Sequence, residues 1–199
     1  MLEDQEIQKI LEIKGLVRGV VFQTDREYVL EEKGEAGLKK LEEEIKKTGQ
    51  AIKYRKDFKT TDWYPLGWRI LSLLVIQETF DWGEQEIFKM GEAAPKHSFI
   101  VKTILRYFIS LEKTFAETAK YWEKHYSIGK LEAPEIDIKK HHLVLRLSDF
   151  KSHPILCIYY RGYFKSLTSL IIRASQINIQ ETKCVNKGDQ YHEFVIDWE

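Results

Sequence analysis

Gln176-Ile177-Asn178-Ile179-Gln180-Glu181, then Asn186-Lys187-Gly188-Asp189, then Phe194-Val195-Ile196-Asp197-Trp198: the end of this chain alternates, turns and alternates again. A period of two places Ile177 and Ile179 on one face of a strand, and Phe194, Ile196 and Trp198 on one face of the next. The Asn-Lys-Gly-Asp run between them has turn chemistry, so the reading is a terminal β-hairpin. Working backwards, Pro154 opens a helix that runs to about Ala174. Before it, Glu135-Ile136-Asp137-Ile138 alternates and His142 to Leu147 is rich in β-formers, which predicts a strand pair.

The first two-thirds read as helices. Leu38, Leu41 and Ile45 recur at three- and four-residue spacing, so Leu38 to Lys47 is an amphipathic helix, with Gly34 and Gly37 before it and Gly49 after it marking its ends. Glu12 to Gly19 reads as an edge strand leading into a helix over about Val20 to Glu32. Thr60-Thr61-Asp62 can cap a helix whose first turn takes Pro65, and Leu66 to Phe80 is apolar nearly all round, as a central buried helix is. Trp82-Gly83 breaks it, and Glu84 to Ala94 follows, ended by Pro95. Ser98 to Ile109 and Leu111 to Tyr126 form one bent helix or two, with a core-type stripe of Leu111, Phe115, Ala119 and Trp122. The expected fold class is α+β: an N-terminal helical block followed by an antiparallel sheet with a long helix and a C-terminal β-hairpin. Residues 1–199 read as one domain, with a strand and helix arm over 1–50, the helical block over 58–127, and the sheet with its helix over 130–199.

Lys+Arg and Asp+Glu both number 31, and each basic cluster lies beside an acidic run, which argues against nucleic acid as partner. The opening Met1-Leu2-Glu3-Asp4 lacks the form of a signal peptide. The longest apolar run, Ile70 to Ile76, falls far short of the roughly 20 residues of a membrane span. With two cysteines, Cys157 and Cys184, there is no disulfide framework, and the expected location is the cytoplasm. Phosphate-cradling glycine loops, Gly-x-Ser-x-Gly and His-Glu-x-x-His do not occur, so no residue is assigned a catalytic role.

The specific stretch is Cys157-Ile158-Tyr159-Tyr160-Arg161-Gly162-Tyr163-Phe164, with Glu181-Thr182-Lys183-Cys184 and Gly188 to Phe194 on the hairpin. Over about residues 150–198 it resembles the four-vinyl-reductase (vinyl 4 reductase) domain family of small-molecule-binding domains; upstream the likeness is architectural. That family shares its fold with haem–nitric-oxide-binding domains and with subunits of the TRAPP tethering complex. Its phenol-sensing members hold a structural zinc with a Cys ahead of Glu-x2-Cys-x7-Cys. The resemblance implies Cys157, Glu181 and Cys184 as ligands, with His192 standing where the last Cys would be; imidazole and thiolate both suit zinc. Four protein ligands leave no open position, so such a zinc is structural. Strand parity turns Glu181 and His192 toward the apolar layer, whereas Cys184 has the opposite parity and needs a bulge near Thr182-Lys183. The alternatives are two buried free thiols with a hinge carboxylate and a rim histidine, or a Cys157–Cys184 disulfide.

The resemblance further implies an apolar cavity among the helices, closed by the metal-clamped hairpin. Candidates to line it are Trp68, His97, Tyr107, Phe108 and Trp122, each also explicable as packing. A small apolar or aromatic ligand, a homodimer and a separate signalling or effector protein are the partners expected. A Tyr-x-Ser-x-Arg propionate motif is missing, which argues against haem, although His97 or His125 offers an axial nitrogen. The competing functions are a dimeric tethering scaffold, with Leu38, Leu41 and Ile45 at its interface, and an accessory role to a tetrapyrrole vinyl reductase.

Overall fold

The computed structural model describes residues 2–97 apart from 51 and 55, residue 115, and residues 118–199 apart from 173. In chain order these form α1 (Asp4–Leu11), β1 (Leu16–Arg18), α2 (Val20–Lys47), β2 (Trp63–Pro65), α3 (Leu66–Phe80) and α4 (Glu84–His97). There follow α5 (Thr118–His125), β3 (Lys130–Asp137), β4 (His142–Ser148), α6 (Pro154–Ile171), β5 (Ile177–Lys183) and β6 (His192–Trp198). β1 and β2 pair antiparallel, and the other four strands make an antiparallel sheet in the order β3-β4-β6-β5. This is the α+β architecture that the hydrophobic periods imply.

The sheet has one greasy face because its register keeps the alternation in phase. Leu143 faces Ile196, Leu145 faces Phe194, and Ile179 and Ile177 continue the row opposite Ile196 and Trp198. Polar pairs occupy the other face, among them His142–Asp197 at 2.7 Å and Arg146–Glu193 at 3.3 Å. Helix α6 covers the apolar face, with Phe164 against Phe194 at 5.2 Å between ring centroids. On its far side α6 meets α4 at unusually short range: a Cβ on Gly91 would lie 2.0 Å from the Tyr159 carbonyl oxygen, and one on Gly162 2.0 Å from that of Phe88. Only glycine fits at such a crossing. Glu84–Arg161 and Glu92–Lys165 ion pairs flank it.

Several boundaries differ from expectation, each for a local reason. Thr60 to Asp62 do not cap α3; Trp63–Pro65 is a strand paired with β1, and Pro65 itself is the residue before the helix. Pro95 lies inside α4 rather than ending it, with only Lys96 and His97 following it in the helix. Helix α2 runs through Gly37 to Lys47 and is interrupted only at Gly34, whose φ of 65° is open to glycine and costly for other residues. Leu38, Leu41 and Ile45 are buried within the chain, on the helix that packs against α3, so that stripe does not offer a dimer interface. Helix α1 was not apparent from periodicity; it buries Ile7 and Ile10 against α3. Among the described residues no helix is long and apolar enough to cross a membrane.

Candidate metal centre and aromatic box

Cys157 stands in the first turn of α6. His153 caps that helix, its Nδ1 accepting from the Ile155 N–H at 3.2 Å, with Pro154 next to it. The other three side chains come from the hairpin. Glu181 ends the regular part of β5, and the pairing then slips: Glu181 faces Phe194, but Lys183 faces Glu193. This bulge at Thr182 turns Cys184 to the same side as Glu181. Beyond it, Cys184 N–H donates to Asp189 Oδ2 at 2.8 Å, and a single 3-10 turn over Val185–Lys187 closes at Gly188, with φ of 100°. β6 then opens with His192, buried on the apolar face.

These elements bring one ligand atom each from Cys157, Glu181, Cys184 and His192 within 4.8 Å of one another. Cys157 Sγ is 3.7 Å from Cys184 Sγ and 3.7 Å from His192 Nδ1, and His192 Nδ1 is 3.1 Å from Glu181 Oε1. Around a tetrahedral zinc with ligand bonds of about 2.0–2.3 Å, the corresponding edges are about 3.8, 3.6 and 3.4 Å. A disulfide requires sulfurs about 2.05 Å apart, and both cysteines are free. His192 Nε2 lies 3.0 Å from the Phe150 carbonyl oxygen, so it carries the hydrogen and Nδ1 presents its lone pair to the cluster. Asn186 Nδ2 donates to Cys157 Sγ at 3.5 Å.

The electrostatics are those of a cluster that could hold a cation. Burial pushes the Cys157 thiol well up, and Glu181 and Cys184 push it further. Burial also raises Glu181, but its neighbours in the cluster, the His192 ring first among them, outweigh it and leave the carboxyl below its ordinary range. Two sulfurs, a carboxylate and an imidazole lone pair turned on one point repel one another unless a proton or a metal ion stands between them. The donor set and edges fit zinc.

The Phe150 carbonyl joins this cluster to a group of buried aromatic rings packed against one another, called the box. Trp122 stacks on Tyr126 at 4.3 Å, meets Phe150 at 5.2 Å, and meets Tyr160 of α6 at 5.4 Å. Phe164 lies one turn further along α6, 6.0 Å from Tyr160. The Trp122 indole N–H is fixed by the Ile128 carbonyl at 2.8 Å. Behind the box lies a buried polar group. Asp25 Oδ2 pairs with Arg69 Nε at 3.4 Å, and Asp25 Oδ1 accepts from the Tyr159 hydroxyl at 3.1 Å. Arg69 Nη1 donates to the Tyr126 hydroxyl oxygen, while the guanidinium lies 4.5 Å over the Tyr159 ring.

Of the cavity-lining candidates, Trp122 packs within this aromatic group. Trp68 is half-buried and stacks with Tyr64 at 6.5 Å, and no ring contact joins it to the box among the described residues. His97 ends α4, its side chain outside the description, and Tyr107 and Phe108 lie outside the described residues. Sequence reasoning did not name Tyr126, Phe150, Tyr160 or Phe164 among the cavity-lining candidates. The spacing of Tyr160 and Phe164, four apart on α6, carried a signal for two of them. Arg69, a charge set among the apolar residues of the first turns of α3, carried one for the polar group.

No family model matches the chain, and no curated protein does. Solved structures do. The H-NOX domain from Shewanella oneidensis in its Fe(II)CO ligation state aligns with a TM-score of 0.69 at 13 % identity, covering 92 % of this chain and 98 % of that one. An oxygen-binding H-NOX domain related to soluble guanylate cyclases aligns at 0.66 and 10 %, covering 92 % and 95 %. A mutant H-NOX protein from K. algicida, unliganded in the Fe(II) state, aligns at 0.66 and 11 %, covering 92 % and 96 %. At such identities the likeness shows the fold.

Proposed function

We propose that this chain is a haem-free small-molecule-binding domain of the four-vinyl-reductase kind. In this reading a structural zinc on Cys157, Glu181, Cys184 and His192 pins the hairpin to α6 beside a box for a small apolar or aromatic ligand. The observation that carries the reading is the link through Phe150: the residue that orients His192 is also a wall of the box. Zinc would supply charge that holds two thiolates and a carboxylate together; the ligand chemistry is left to the rings. Cys157 and Tyr160 share one turn of α6, so order in the cluster sets the position of the Tyr160 wall. The output passes to a separate effector protein in the cytoplasm, from a homodimer.

Haem fits the described residues poorly, although the H-NOX likeness suggests it. Arg69, the buried cation among the described residues, is already occupied by Asp25 and Tyr126, so it is not free for a propionate. The His125 ring is tied to the Tyr121 carbonyl at 2.8 Å, and no ring of the box touches it among the described residues. The purified protein should show no Soret absorbance, and its melting temperature should rise with small aromatics while zinc is bound. A Soret band, or no thermal shift with any aromatic probe, would overturn the reading.

A further inference from the structure

The turn between β5 and β6 is held by its own hydrogen bonds. Lys187 N–H donates to the Cys184 carbonyl oxygen at 2.9 Å, Asp189 N–H donates to the same oxygen at 3.2 Å, and the Asp189 carboxylate accepts from Cys184 N–H. Gly188, with φ of 100°, closes it in a conformation that favours glycine. This frame carries Asn186. The residue is exposed, yet its Nδ2 reaches inward to Cys157 Sγ at 3.5 Å, across to the first turn of α6. An amide nitrogen only donates, so the sulfur is the acceptor.

Charge gives that contact a purpose. Two thiolates, a carboxylate and a neutral imidazole bring three negative charges to the cluster, and a divalent ion offsets two of them. A loaded site therefore keeps one negative charge where Cys157, Cys184 and His192 are all buried, and buried charge needs compensation. Lys183 of β5 and Arg146 of β4 are turned elsewhere, the first to the Tyr191 hydroxyl at 2.7 Å and the second to Glu193 at 3.3 Å. Compensation is left to dipoles: Cys157 lies in the first turn of α6, and the Asn186 amide is directed at the same sulfur.

We propose that Asn186 is a positioning residue of the metal centre, its side-chain N–H holding and screening the Cys157 thiolate and so setting how tightly zinc is kept. This role rests on the zinc reading above and carries it from the four ligands to the turn beside them. Asn186 supplies no metal ligand and, being exposed, has little packing to lose, so a variant there separates hydrogen bonding from folding.

The test is Asn186→Ala in the full chain, with three measurements: zinc affinity by competition with a chromophoric chelator, the sulfur-to-metal charge-transfer band with Co(II) in place of zinc, and the melting temperature of the metal-free protein. Loss of an outer partner of a ligand weakens metal binding by about 10–100-fold, and the variant should hold zinc about tenfold less tightly. A thiolate deprived of its hydrogen bond gives up electron density more readily, so the Co(II) band should move to longer wavelength. A neutral thiol is a weak acceptor, so the metal-free melting temperature should match that of the wild type. Unchanged zinc affinity overturns the assignment. Weaker binding with an unmoved band, or with a lowered metal-free melting temperature, overturns it as well, since either marks a general loosening of the turn. A wild type that takes up neither ion is a different failure: the zinc reading itself falls, and the role of Asn186 with it.

Discussion

Asp25 and Arg69 hold each other in place inside the helical block, and neither can reach water. Burial pushes the Asp25 carboxyl upward, while Arg69 and Tyr159 draw it back. Replacing Asp25 by Asn keeps the shape but leaves a guanidinium buried without its counter-charge. We expect a loss of about 3–5 kcal/mol in urea unfolding. A loss under about 1 kcal/mol would show that the pair is not the anchor described. Cys184→Ala tests the cluster in the same way. It should lower the melting temperature of the metal-loaded protein by about 10 °C, as expected for several kcal/mol in a chain of this size. It should cost far less once both proteins have been stripped with a chelator. Arg69 could be read from sequence as a charge in need of a partner, whereas the choice of Asp25 could not, because pairing across α2 and α3 depends on how the helices cross. The four residues of the cluster were legible only through the resemblance to the four-vinyl-reductase family; strand parity by itself supported Glu181 and His192 and set Cys184 on the opposite side.

At the scale of elements, the strands were the most readable part. Their period of two survives in the register, and the bulge that the implied ligand set required near Thr182-Lys183 is present between Glu181 and Lys183. The helical boundaries were less so, because Pro95 and Gly34 are tolerated where packing from neighbours outweighs their local preference. The α4–α6 crossing was not legible at all, since nothing in sequence pairs Gly91 with Gly162. It is testable. Gly91→Ala drives a methyl group into the Tyr159 carbonyl and should cost about 1–3 kcal/mol or more in stability. The same change in an exposed helix would be stabilising. Because Tyr159 and Tyr160 sit at this crossing, the variant should also weaken aromatic ligands; an unchanged affinity and stability would mean that the helices separate freely.

For the molecule as a whole, acid should loosen the assembly before it unfolds the core. Burial holds His125 below its ordinary value near 6.5, against a hydrogen bond to Tyr121, and burial holds His153 below it as well, against Glu6. The folded state thus favours both neutral imidazoles. Their contribution is fully present above about pH 6.5 and is lost as pH falls through the depressed folded values. In metal-free protein the melting temperature should fall between pH 7.5 and 5.5. His153→Asn keeps an acceptor at the start of α6 and should flatten part of that fall. A flat profile, or an identical one in the variant, would contradict the role given to His153.

The central claim is that a metal ion fastens the terminal hairpin to α6, next to a haem-free box. Native mass spectrometry of the untreated full chain addresses it most directly. The account predicts one zinc per chain, no haem, and loss of the zinc in Cys184→Ala. A wild-type chain that carries haem, or one that is metal-free yet melts at the same temperature with and without added zinc, would contradict it.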